Sequence, residues 1–194
     1  IMDSTFISKK DLKVYELGCG NGLKLKTIKD NFKSKYNIFE FGVDYSSDAV
    51  KNAKKNNLNV SLGGVEILIQ KGQCDIFIMS HILEHILDLK QILQIIYKLL
   101  KDDGLLYIEV PGVNNLPNFK EYLFNYQDYC TLAHTYNFSL ETLTSVLNDN
   151  KFELVNGNQY VQSIFKKNNN ILKSFNKKSY KKIISSLELA KHKS

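Results

Sequence analysis

Short apolar runs alternate along the chain with stretches whose apolar residues recur every three or four positions. Residues 14–17 read as a buried strand, and Leu23–Phe32 as a helix in which Leu23, Leu25, Ile28 and Phe32 are partly periodic. Residues 37–43 form a second strand, after which Ser46 or Ser47 offers a cap for a helix over 48–56. Residues 58–62 and 74–79 supply strands three and four, and 82–100 a long helix with leucine and isoleucine at helical spacing. Asp102-Asp103-Gly104 reads as a turn, followed by strand five over 105–110 and the breaker Pro111-Gly112. Residues 151–155 and 160–165, split by Asn156-Gly157-Asn158, read as a closing hairpin. Strand–helix alternation of this kind predicts an α/β fold with a parallel sheet wrapped by helices.

The first strand runs straight into Gly18-Cys19-Gly20-Asn21-Gly22. Glycines let a backbone turn sharply and approach a ligand closely, because no Cβ intervenes. A dinucleotide-binding fingerprint needs G-x-G-x-x-G, yet Leu23 stands where the last glycine belongs. Glu16, two residues before the first glycine, adds a carboxylate at the strand end. Residues 14–22, Val-Tyr-Glu-Leu-Gly-Cys-Gly-Asn-Gly, resemble motif I of the class I S-adenosylmethionine-dependent methyltransferases, and the likeness covers roughly residues 12–166. It implies a Rossmann-like fold: a mostly parallel seven-stranded sheet, helices on both faces and an antiparallel last strand. It also implies that Glu16 and the loop residues Gly18, Cys19, Gly20, Asn21 and Gly22 hold the methionine part of the cofactor. A nicotinamide dehydrogenase is the rival reading of the same loop.

Ligands of open α/β sheets bind beyond the carboxyl ends of the strands. Asp44 ends strand two about twenty residues past the glycine loop, where an acid accepts both ribose hydroxyls. The other reading makes it a helix-capping carboxylate, a task Ser46 or Ser47 can perform instead. Tyr45 then lies near the adenine. By the resemblance, Gly64 and Val65 of Gly63-Gly64-Val65-Glu66 reach the adenine after strand three, and Ser80 joins the cofactor set at the end of strand four.

Strand four leads into Ser80-His81-Ile82-Leu83-Glu84-His85. Positions i, i+3 and i+4 share one helix face, so His81, Glu84 and His85 converge at the first helical turn, beside the glycine loop. The segment is similar to the Leu-Glu-His stretch of methyltransferases acting on quinones, sugars and RNA ends. Some of those hold a divalent metal with an acid-x-x-Glu-His segment and a distant histidine. His134 is the distant candidate here, giving His81, Glu84, His85 and His134 as metal ligands. His81 in place of the acid favours a zinc-like ion over magnesium. Without metal, Glu84 and His85 cap the helix and pair with each other, while His134 serves alone. A hydroxyl acceptor needs a base or a metal at neutral pH. His134 is the expected general base, with His85 next in line.

Composition and charge narrow the partners. The chain has 194 residues, 43% hydrophobic and 24% charged, an ordinary globular balance. Its net charge of +6 is unevenly placed: residues 166–194 carry nine lysines against Glu188 alone, and the remainder is slightly acidic. There is no arginine, which argues against a nucleic-acid reader because bidentate recognition of phosphate and guanine relies on it. Cys19, Cys74 and Cys130 form no paired motif and read as reduced thiols of a cytoplasmic protein. No apolar run is long enough to span a bilayer. Whether residues precede Ile1 is left open.

Residues 1–166 are expected to form the methyltransferase domain, 112–138 a substrate lid, and 167–194 a basic amphipathic helix. The lid holds seven of the 22 aromatics in 27 residues, Phe119, Tyr122, Phe124, Tyr126, Tyr129, Tyr136 and Phe138; half of them are expected simply to pack. The tail's stripe is Ile171, Leu172, Phe175, Ile183, Ile184 and Leu187, expected to pack on the domain. The insert resembles methyltransferases encoded with capsule and lipopolysaccharide genes. That likeness implies a small-molecule acceptor, a hydroxyl of a sugar, nucleotide-sugar or other surface-polysaccharide precursor; separately, a monomer or homodimer is expected. Metal-dependent 2′-O-methylation of RNA ends and a non-catalytic cofactor-binding module are the alternatives.

Overall fold

The computed structural model describes residues 10–114 and 134–168, with Lys181, Ile184 and Ser185. The chain divides into two compact units, Ile1–Ser80 with Ile95–Tyr107, and His81–Gln94 with Ile108–Ser194.

In the first unit, β1 (Asp11–Leu17), α1 (Leu23–Phe32), β2 (Asn37–Asp44), α2 (Ser47–Lys55), β3 (Val60–Leu62), α3 (Val65–Ile69) and β4 (Cys74–Ser80) follow in order. β1 pairs in parallel with β2 and with β4, and β2 with β3. Leu12 and Val14 of β1 join Ile76 and Ile78 of β4 in one buried cluster with Leu25, Val50 and Ala53 from the helices. Tyr15, Leu17, Phe77 and Met79, the alternate positions on the same strands, are buried too. Both faces are therefore covered, which is why these strands read as continuous apolar runs rather than alternating ones. Asp75 is tolerated inside β4 because Lys101 Nζ lies 2.7 Å from one oxygen and the Lys13 N–H donates to the other at 2.9 Å. Phe77 is fully buried, so Phe77→Ala is expected to lower the unfolding free energy by about 3–5 kcal/mol. Urea denaturation checks this, and a loss below about 1 kcal/mol contradicts the packing described.

The remaining elements are α4 (Leu89–Leu99), β5 (Leu100–Glu109), α5 (Leu140–Asp149), β6 (Phe152–Gly157) and β7 (Gln162–Lys167). β6 and β7 pair antiparallel, and the seven-stranded sheet has the order β3-β2-β1-β4-β5-β7-β6. The expected sheet, mostly parallel with antiparallel strands at its end, is the observed one.

Several local expectations are corrected. Residues 82–100 are not one helix: a single 3-10 turn spans Leu83–His85, and α4 begins only at Leu89. His81 adopts φ +55° and donates its N–H to the Glu109 carbonyl, which breaks helical continuity at once. Asp88 restarts the helix, its Oδ1 accepting from the Gln91 N–H at 2.8 Å as an N-cap. Asp102-Asp103-Gly104 lies within β5, with both aspartates exposed and Leu100, Leu105 and Leu106 buried. Asn156 and Gly157 belong to β6, past an irregularity at Leu154/Asn156. The hairpin turns at Asn158–Val161 instead, where the Val161 N–H reaches the Asn158 carbonyl and Asn158 Oδ1 accepts from the Gln162 N–H.

Ser139 caps α5, and Thr142 does what a capping-box acid would: its Oγ1 accepts from the Ser139 N–H at 2.9 Å. Of the expected lid, the two described ends meet, Gly112 bridging to Phe138 and the Val113 N–H donating to the Phe138 carbonyl at 2.8 Å. Its middle, 115–133, and most of the expected tail helix lie outside the described residues.

Candidate active site

The glycine loop sits at the carboxyl end of β1, and backbone geometry explains its composition. Gly18, Gly20 and Gly22 all take left-handed φ, 71°, 53° and 78°. A Cβ added at Gly20 meets nothing within 4 Å, so open space begins at this point of the loop. The loop is seated on β2: a Cβ at Gly42 would come within 2.7 Å of Cys19 Sγ and 2.9 Å of Leu25 Cδ1. Sequence reasoning missed Gly42, whose only signal is a glycine in a strand interior, the mark of a close backbone approach.

The loop's own N–H groups are largely spent inside the protein. Gly18 and Cys19 donate to the Val43 carbonyl at 2.8 and 3.0 Å, and Gly22 to the Cys19 carbonyl at 2.9 Å. Gly20 donates to Asp44 Oδ2 at 2.8 Å, while Asp44 Oδ1 takes the Ser46 N–H at 2.8 Å. Asp44 therefore joins the ends of β1 and β2, and Ser46, not Asp44, caps α2 through the Ala49 N–H. On the far side Tyr45 is 77% exposed. A Cβ at Gly64 would fall 2.2 Å from the Tyr45 hydroxyl. Glu66 Oε1 accepts the Gly64 N–H at 2.7 Å, a bracing contact the sequence did not reveal. Val65 opens α3, and Ser80 closes β4, which lies beside β1 in the sheet.

Two acidic side chains stand near the loop. Glu16 is buried, only 2% exposed, at the end of β1. Burial pushes the Cys19 thiol up to about 12, and the carboxylates of Glu16 and then Asp44 push the same way. Both carboxylates thus act on the Cys19 thiol. At pH 8 Cys19 is expected to alkylate roughly a thousandfold more slowly than a free thiol, as its thiolate fraction dictates. Peptide mapping after iodoacetamide treatment checks this; labelling at the free-thiol rate would contradict the burial described.

A cavity of about 390 Å³ lies elsewhere in the first unit, lined by Leu23, Thr27, Ile28 and Phe32 of α1 with Ile76, Ile78 and Tyr107. Lys24 also borders it; its wall is mostly apolar and includes none of the expected cofactor residues.

The histidines belong to the second unit. The Tyr136 N–H donates to the Glu84 carbonyl at 3.2 Å and the Tyr136 hydroxyl to the Leu87 carbonyl at 3.1 Å. This double attachment carries His134 to His85, ring centroids 4.9 Å apart at 62°. Ligand atoms of Glu84, His85 and His134 all lie within 4.8 Å of one another. His81 stands outside that set of three, exposed, with Nδ1 3.5 Å from Glu84 Oε1. Tyr136 is the organising residue here; in the sequence it had been only one aromatic of the insert.

A sheet of order β3-β2-β1-β4-β5-β7-β6, parallel from β3 through β4 and antiparallel between β7 and β6, with a glycine loop after β1 and an acid after β2, has the layout of a class I methyltransferase-type Rossmann fold. A dinucleotide-binding dehydrogenase continues the order 4-5-6 instead. The chain belongs to the family described as "Methyltransferase domain", whose model matches residues 4–156.

Solved structures agree on the fold. A SAM dependent methyltransferase from Archaeoglobus fulgidus is 25% identical with TM-score 0.58, the match covering 75% of this chain and 62% of that one. The methyltransferase complex with the Trm112 activator of Haloferax volcanii gives 21% identity and TM-score 0.58, over 75% of this chain and 63% of that one. The plantazolicin methyltransferase BamL, solved with a triazolic desmethylPZN analog and SAH, gives 17% identity and TM-score 0.62, over 94% and 71%. The chain spans less than two thirds of the length of the first two. No curated protein matches the sequence.

Proposed function

We propose that this protein transfers the methyl group of S-adenosylmethionine to a hydroxyl of a small molecule, a sugar, nucleotide-sugar or other surface-polysaccharide precursor. The observation that carries the donor assignment is Asp44, which ends β2, is fastened to the glycine loop through Gly20, and stands with Glu16 around one spot. A sulfonium is a cation, and a carboxylate-flanked cradle opening at Gly20 matches it in charge and room. The family supports the same donor.

In this reading Glu16 and Gly18, Cys19, Gly20, Asn21 and Gly22 hold the methionyl end. Because most loop amides are spent internally, the cradle offers carboxylates and carbonyls rather than a row of free donors. Asp44 takes the ribose hydroxyls, Tyr45, Gly64 and Val65 flank the adenine, and Ser80 borders the site from β4. Transfer is an in-line displacement: the acceptor oxygen bonds to the methyl carbon, the carbon–sulfur bond breaks, and S-adenosylhomocysteine leaves as a neutral thioether. Alignment supplies much of the acceleration. The proton released from the hydroxyl goes to His134, with His85 beside it. The sugar-type acceptor is supported by the aromatic-rich insert and by the absence of arginine.

Calorimetry with S-adenosylmethionine and with NAD tests the donor; micromolar uptake of the first and none of the second is expected. Methyl transfer to a panel of nucleotide-sugars and glycosides then tests the acceptor. Uptake without turnover on any of them would favour a non-catalytic binding module, and absence of uptake would sink the proposal.

A further inference from the structure

We propose that Glu84, His85 and His134 form a binding site for a divalent transition-metal ion. Glu84 is 1% exposed, and neither of its carboxylate oxygens accepts a hydrogen bond among the described residues. A buried carboxylate left in that state is costly, and proteins keep one where a cation compensates it. Among the described residues the cationic candidates beside it are Nδ1 of His81 at 3.5 Å and Nε2 of His85 at 3.9 Å from Oε1, both too distant to satisfy it. His85 and His134 meet edge-on beside it, and the three ligand atoms fit within 4.8 Å.

The backbone builds this arrangement. Within the turn Leu83–His85 the Glu84 side chain is buried while His85 stays accessible, and the Tyr136 N–H, bonded to the Glu84 carbonyl, sets His134 across from them. Two imidazoles and one carboxylate suit zinc, manganese or ferrous iron; magnesium and calcium want oxygen donors. Three protein ligands, two of them not buried, leave coordination positions for water or a substrate oxygen, the pattern of a catalytic rather than a structural site. The site stands on these residues alone and does not depend on the donor assignment. Where that assignment holds as well, the ion's chemistry is to acidify a coordinated hydroxyl.

The full chain, stripped with chelator and dialysed, is titrated with Zn2+ and with Mn2+ by calorimetry. One equivalent of either is expected to bind at micromolar affinity or tighter. His134→Ala and Glu84→Gln are each expected to weaken binding by at least about a hundredfold. The Co2+-loaded wild type is expected to show visible d–d bands that His134→Ala abolishes. S-adenosylmethionine affinity, measured in chelator for every variant, reports folding and the donor site separately. Failure of the metal with retained donor binding overturns only this site. Absence of wild-type binding tighter than millimolar, or equal affinity in His134→Ala, overturns it.

Discussion

Asp44→Ala is expected to weaken S-adenosylmethionine binding by at least about a hundredfold. Hydrogen bonds to a charged acceptor contribute about 1.5–3 kcal/mol each, and the proposed pair to the ribose hydroxyls amounts to about 3 kcal/mol or more. Every 1.4 kcal/mol is tenfold in affinity. The substitution also removes the acceptor that holds the Gly20 and Ser46 N–H groups at 2.8 Å, which loosens the loop where the ligand would sit. Asp44→Asn keeps one acceptor oxygen and the shape, so it is expected to fall between. Asp44 is only half-buried and the released amides can turn to water, so the loss should appear in affinity far more than in thermal stability. Calorimetry beside a melting curve separates the two. Unchanged affinity in Asp44→Ala would remove the basis of the donor assignment.

His134→Ala is expected to lower turnover by about 10²–10⁴-fold while leaving S-adenosylmethionine affinity within about threefold. Loss of a positioned proton acceptor gives this pattern, and so does loss of a metal ligand. The residue belongs to a different compact unit from the glycine loop, so donor binding is expected to survive. Counting S-adenosylhomocysteine formed per enzyme with an accepted substrate gives the first number and calorimetry the second. Phe138 is buried beside this segment, and the Tyr136 bonds do not use the His134 side chain, so the fold is expected to hold. Turnover equal to wild type would exclude both roles for His134.

Much of the candidate site's layout was legible because its parts lie at the ends of neighbouring strands. Three glycines with positive φ, an acid two residues ahead and an acid at the next strand end each show at the end of an apolar run, and those strands are apolar on both faces. Elements misread were those where one tertiary bond overrules a pattern. The apolar spacing of 82–100 is helical throughout, yet the His81 N–H finds the Glu109 carbonyl and helix resumes only at the Asp88 cap. Asn156-Gly157 has turn chemistry, yet it lies in β6 because the chain turns at Asn158, whose side chain holds Gln162.

From the amino-acid order alone came the α/β class, the glycine loop and the two carboxylates that flank it, since each depends on neighbours within a few positions. Only the folded chain decided that Gly42 seats the loop, that Asp44 is tied to Gly20, and that of the four expected ligands Glu84, His85 and His134 form the close set of three. Those facts turn on contacts between residues some twenty to fifty positions apart in sequence. Side-chain spacing along one element does not encode such contacts; the register of neighbouring strands and the two bonds of Tyr136 do.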